Sequence, residues 1–160
     1  MRATDYPYCQ SPFTVLAHRG GAGMAINKGI ENTLAAFGHA VEVGCTYLET
    51  DVHATSDGVL VAFHDPILDR VTESGGVIAA MPWHKVKQAK VGGEPIPTLD
   101  EILDAFPDAF INIDIKHDGA TMPLIDVLSR HRAWSRVCVG SFSSKRIQTF
   151  RRLVQGRTAT

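Results

Sequence analysis

The sequence has no uncharged apolar stretch near the roughly 18 residues that a membrane-spanning helix needs, so no transmembrane segment is expected. Net basic charge is also missing. Sixteen Lys plus Arg stand against 17 Asp plus Glu, a formal net charge of −1, which argues against a broad nucleic-acid surface. Cysteine is scarce. Cys9, Cys45 and Cys138 include no pair at CxxC spacing, so neither a zinc site nor a disulfide framework is expected. Cys45 and Cys138 open apolar runs and read as small hydrophobes. There is no internal repeat and no low-complexity segment. Residues 1–12 are polar and broken by Pro7 and Pro12, unlike a secretory signal, and a cytoplasmic location is the default expectation. What remains is ordinary for one globular domain over residues 1–160, with 44% apolar and 21% charged residues.

Short apolar runs alternate with helical stretches. Residues 14–18 read as a strand ending in a glycine-rich turn at residues 19–23. A helix capped at Asn32 follows, with Leu34, Phe37 and Val41 on one face and a stop at Gly44. Residues 46–52 form a second strand, Ser56-Asp57-Gly58 a turn, and residues 59–63 a third strand. Residues 67–95 look irregular, with a short helix over 82–89 between Gly75-Gly76 and Gly92-Gly93. Thr98 and Glu101 form a capping box for a helix through Phe106. Strands over 110–115 and 137–141 then alternate with helices over 122–131 and 144–154, and residues 157–160 are placed to open a sixth strand. This alternation implies a parallel sheet covered by helices, either a doubly wound open sheet or a (β/α)8 barrel.

The polar residues favour the barrel. Residues two apart in a strand share a face, so Glu49 and Asp51 project together, as do Asp114 and Lys116. His18 ends the first strand and His64 the third. Acids, imidazoles and a lysine at the ends of four strands match the C-terminal face of a barrel, whereas a doubly wound fold gathers its ligands at one switch point. Too few residues join strands two and three for a crossover helix. A two-residue Asp57-Gly58 turn would pair them as numbers summing to 115, bringing Asp51 opposite His64; a short extended crossover would also bring His64 near that strand end, so the direction stays open. Three convergent carboxylates, Glu49, Asp51 and Asp114, repel unless a hard divalent cation, Mg2+ or Ca2+, sits among them; the bland alternative pairs them with Arg19 and Lys116. His18 and His64 beside them fit an acid and a base near neutral pH. His39, His53, His84, His117 and His131 read as structural.

These residues fall in segments that together resemble the glycerophosphodiester phosphodiesterase family. The segments are His18-Arg19-Gly20, Glu31-Asn32-Thr33, Glu49-Thr50-Asp51-Val52, Thr55-Ser56-Asp57-Gly58, His64-Asp65, Ile96-Pro97-Thr98-Leu99 and Asn112-Ile113-Asp114-Ile115-Lys116. No segment is specific alone, but their common order and spacing are. The resemblance implies a TIM barrel of the phosphatidylinositol phospholipase C type and hydrolysis of a small glycerophosphodiester to an alcohol and glycerol 3-phosphate. It implies metal ligands at Glu49, Asp51 and Asp114, acid and base at His18 and His64, and phosphate contacts from Arg19 and Lys116. Glu31 and Asn32 would orient the turn after His18. Residues 66–95 would be an insertion after the third strand, over the barrel mouth.

Two departures carry expectations. Asp114 stands where the resemblance implies glutamate, so the third ligand is one methylene shorter. The chain also supplies about five of eight strands, the expectation being a C-terminally truncated, partial TIM (β/α)8 barrel with open edges, an exposed inner apolar face and a tendency to self-associate. A lyase stopping at a cyclic phosphate and an inactive relic or binding module are the competing readings.

Overall fold

The computed structural model describes residues 2–11 and 14–160; Met1 and Pro12, which entered the reading of the opening stretch, lie outside them. The elements run β1 (Leu16–Ala17), α1 (Leu34–Glu42), β2 (Tyr47–Ala54), β3 (Leu60–Ala62), α2 (Trp83–Val86), β4 (Lys90–Val91), β5 (Glu94–Pro95), α3 (Leu99–Ala105), β6 (Phe110–Ile115), α4 (Thr121–Arg130), β7 (Val137–Gly140) and α5 (Ser144–Val154). In the main sheet β1, β2, β6 and β7 pair in parallel in that order, and β3 joins β2 antiparallel.

Strand order that follows chain order without reversal is barrel-like and not doubly wound, because crossovers of one hand then leave every helix on the same face. α1, α3, α4 and α5 all lie there, while α2 packs in a separate small core. Leu48, Val52, Ile111, Ile113, Ile115, Val137 and Val139 pack with Phe37 and Ala40 of α1, Leu99, Ile102 and Leu103 of α3, Leu124 and Leu128 of α4, and Phe150 and Val154 of α5. The sheet is a partial, unclosed barrel wall. Beyond β7, Ala159 makes a single isolated parallel bridge to Cys138, and residues 157–160 form no strand of their own.

The inner face is less bare than expected. Tyr8 sets its ring edge-on against Tyr47 and Phe110, with centroids 5.2 and 5.9 Å away, and its carbonyl accepts from the Tyr47 hydroxyl at 2.9 Å. The N-terminal segment thus covers part of this face, a packing role that its polar sequence does not announce.

Several local expectations need correction. α1 is capped by Thr33, whose hydroxyl accepts from Ala36 N, and not by Asn32, which sits at φ 59° with its side chain engaged elsewhere. Its buried face is Ala36, Phe37 and Ala40, while Leu34 and Val41 are largely exposed. β1 keeps only two of the five residues expected; His18 goes into a 3-10 segment over residues 18–20, and Thr14 and Val15 precede the pairing. The β2–β3 hairpin pairs Val52 with Ala62 and His53 with Val61, one residue off the expected register. Its loop has three residues, closed by Thr55 N donating to Val59 O at 2.9 Å and ended by Gly58 at φ 84°, a left-handed position suited to glycine. Asp51 therefore meets Phe63 through a backbone hydrogen bond instead of facing His64. The short helix spans only Trp83–Val86. Residues 66–95 carry their own small core, in which Leu68, Ile78, Val86, Ala89 and Val91 pack on Val61, Phe63 and Ile96.

Candidate active site

Parallel pairing places Asp51 of β2 directly beside Asp114 of β6, on the face opposite the helix-covered one. Glu49 lies two residues earlier on the same face. All three are desolvated, with residue exposures of 6% for Glu49, 1% for Asp51 and 7% for Asp114. Lys116, just past the end of β6, places its ammonium 2.9 Å from Asp51 Oδ1 and 2.6 Å from Asp114 Oδ2. Burial works against that charge, but the two hydrogen bonds outweigh it and hold Lys116 above the ordinary lysine range.

Arg19 enters from the turn after β1. Its backbone N–H donates to Glu49 Oε2 at 2.8 Å, its Nε lies 3.5 Å from Asp51 Oδ2, and Nη1 donates to Glu31 Oε1 at 3.3 Å. The turn is tight. Arg19 itself is at φ 50° and Gly20 at φ 75°, and a Cβ on Gly20 would come within 3.0 Å of Phe37. Asn32 fastens the turn from the other side, its N–H donating to the Arg19 carbonyl at 2.9 Å and its side-chain amide to Asp51 Oδ2 at 3.1 Å. Glu31 and Asn32 thus both contact Arg19 of this turn. His18 Nε2 lies 3.9 Å from Glu49 Oε2 on an exposed ring. His64 Nδ1 bonds Asp65 Oδ1 at 2.5 Å, leaving Nε2 outside that bond.

The acids are not evenly compensated. Burial, then the neighbouring Asp51 charge, push Glu49 up to about 7, against the lowering pull of the Arg19 N–H. Asp114 Oδ1 is buried with no hydrogen-bond partner among the described residues. Hard carboxylate oxygens, one of them orphaned, suit a divalent cation. As arranged, Lys116 stands between two of the three acids, and no three His, Cys, Asp or Glu side chains among the described residues are set to hold a metal ion.

Sequence reasoning missed three contributors and read a fourth, His53, as structural. Asn27 is buried and donates to the Gly20 and Ala36 carbonyls at 3.0 and 3.2 Å while its Oδ1 meets His39 Nδ1 at 2.6 Å; nothing in its local sequence marks it. His53 bonds the His64 carbonyl at 3.1 Å. Phe142, almost wholly exposed, lies with its ring centroid 5.3 Å from Lys116 Nζ. Arg70 joins Asp65 to Glu31; nothing in the sequence reading marked this arginine. His131 pairs with Asp100 and Asp104, away from the site, in line with its structural reading.

Comparison with known proteins gives a consistent picture. The pattern of the Glycerophosphoryl diester phosphodiesterase family matches residues 18–155. A probable glycerophosphodiester phosphodiesterase 2 of Mycobacterium tuberculosis is 40% identical over 146 residues, covering 91% of this chain and 54% of that protein. A glycerophosphodiester phosphodiesterase of Agrobacterium tumefaciens superposes with TM-score 0.79 at 27% identity, over 89% of this chain and 63% of the other. A phosphodiesterase of Oleispira antarctica, solved with the product sn-glycerol-3-phosphate, superposes with TM-score 0.82 at 28% identity, over 94% and 65%. The chain spans about half the length of the curated relatives it matches.

Proposed function

The chain belongs to the glycerophosphoryl diester phosphodiesterase family, and from that premise we propose that its site hydrolyses small glycerophosphodiesters to an alcohol and glycerol 3-phosphate. The observation that carries this reading is the meeting of Arg19 and Lys116 with Glu49, Asp51 and Asp114 at one end of the sheet. Two cations above a carboxylate floor can bind a phosphodiester and stabilise charge gathering on its equatorial oxygens.

His18 and His64 would move the protons. One imidazole protonates the departing alkoxide while the other takes the proton of the attacking hydroxyl, either water's or the glycerol's own; in the second case the cyclic phosphate formed is then opened by water to glycerol 3-phosphate. With Nδ1 donating to Asp65, His64 offers Nε2 for that transfer. Glu49, Asp51 and Asp114 would hold one Mg2+ or Ca2+, supported by the orphaned Asp114 oxygen and the raised Glu49. Such an ion supplies polarisation of a phosphoryl oxygen. Lys116, which bridges Asp51 and Asp114, would bind the phosphate.

The test is incubation of the chain with glycerophosphocholine and Mg2+ or Ca2+. Glycerol 3-phosphate release is expected, and a cyclic phosphate that persists in phosphorus NMR would replace hydrolysis with the lyase reaction. Well-folded, metal-supplied protein that releases neither would leave the inactive relic or binding module as the reading. His64→Ala should lower turnover by about 100-fold or more, and near-normal turnover would remove His64 from the chemistry.

A further inference from the structure

One charged side chain of residues 66–95 reaches back to the site. Arg70 Nε donates to Asp65 Oδ2 and Nη2 to Glu31 Oε1, both at 2.5 Å, with Nη1 3.3 Å from Glu31 Oε2. Each carboxylate has a second partner that matters. Asp65 accepts from His64 Nδ1, and Glu31 accepts from Arg19. The result is one continuous chain of contacts, His64–Asp65–Arg70–Glu31–Arg19, that joins the two sides of the site through a guanidinium.

We propose that Arg70 is a positioning residue that fixes the tautomer and orientation of His64 through Asp65 and ties that imidazole to the Arg19 side of the site through Glu31. The catalytic consequence rests on the phosphodiesterase reading above; the positioning itself does not. The planar fork of arginine matches two carboxylates at once, which a lysine point charge does not. Without it, Glu31 and Asp65 would be neighbouring like charges. Burial would raise both, yet the Arg70 hydrogen bonds outweigh that and hold both below the ordinary carboxylate range.

An exposed ion pair is usually worth little, and Arg70 is itself 44% exposed. Its partners are not, at 17% and 20%, and its backbone is anchored. Leu68, two residues earlier, is fully buried and donates its N–H to Gly76 O at 3.0 Å, and Ile78 N donates to Pro66 O at 3.0 Å. The turn that carries Arg70 is thus tied to the small core of residues 66–95 on both sides. A carboxylate on Nδ1 selects the tautomer with Nε2 unprotonated, the arrangement a base requires.

The ring nitrogens of His64 report this directly. In the 15N-labelled 160-residue chain, long-range proton–nitrogen NMR should show His64 as the Nδ1–H tautomer. Arg70→Ala, and Arg70→Gln as a second variant of unchanged far-UV circular dichroism, should shift that population towards Nε2–H, as should Asp65→Asn. Arg70→Lys should restore part of it. On glycerophosphocholine, kcat of Arg70→Ala should fall roughly 10-fold with KM unchanged, as for a misplaced proton carrier. Native His64 ring signals in both Arg70→Ala and Arg70→Gln would overturn the assignment. A wild-type chain without turnover would sink the proposed activity while the ring signals still decide the role of Arg70.

Discussion

Burial and the adjacent Asp51 carboxylate push Glu49 up to about 7, well above its ordinary value of 4.5. A carboxyl raised in the folded state favours folding when protonated. Its contribution is therefore full below pH 4.5 and is lost as pH rises through about 7. In chelator, urea denaturation should show the Glu49 contribution falling across that window by on the order of 3 kcal/mol, opposed by His53, whose burial lowers its pKa so that its contribution rises with pH. Glu49→Gln should flatten the slope, and so should saturating Mg2+ or Ca2+ if the carboxylates take the ion. Equal slopes in wild type and variant would contradict the assignment. At the same scale, Asn32 and Thr33 show where reading the sequence stops. Both are good helix caps, so local preference cannot choose between them. The choice is made by Asp51, nineteen residues away, which takes the Asn32 amide and leaves the cap to Thr33.

Elements were legible where their signals are local. Thr98 and Glu101 are three residues apart, and the capping box they predict is present in full. Thr98 Oγ1 accepts from Glu101 N at 3.2 Å and Thr98 N donates to Glu101 Oε2 at 2.7 Å. This box starts α3, whose Leu99, Ile102 and Leu103 are buried against the sheet. Thr98→Ala should cost about 1 kcal/mol, read as a lower urea midpoint at unchanged slope. An unchanged midpoint would mean the Thr98 side chain contributes nothing to α3. The hairpin register was not legible. Asp57-Gly58 signals a turn, but Thr55 decides its length. The Thr55 hydroxyl donates to Asp57 Oδ1 at 2.6 Å and accepts from Val59 N at 3.0 Å, which closes three residues instead of two. A one-residue slip changes which side chain meets which. It puts His53, not Asp51, against His64 through the His64 carbonyl.

At the scale of the molecule the partial barrel and the clustering of polar residues at strand ends were legible, because period-two alternation fixes which face each residue takes. The covering of the inner face was not, because Tyr8 meets Tyr47 and Phe110 only in the folded chain. That cover is incomplete. A cavity of about 400 Å3 remains between the N-terminal segment and the chain near Ala159, lined by Tyr6, Cys9, Cys138 and Val154 among others. Among the described residues, β1 pairs only with β2, and Val15 and Leu16 beside that free edge are 59% and 39% exposed. An apolar, unpaired edge is a template for another strand. Light scattering on the 160-residue chain should therefore show a mass that rises with protein concentration. Val15→Lys places a charge at the edge, the usual means of blocking strand addition, and should return the chain towards monomer without changing its circular dichroism. A wild-type chain that stays monomeric across the whole concentration range would show that the Tyr8 segment and the bridge at Ala159 protect the open wall well enough by themselves.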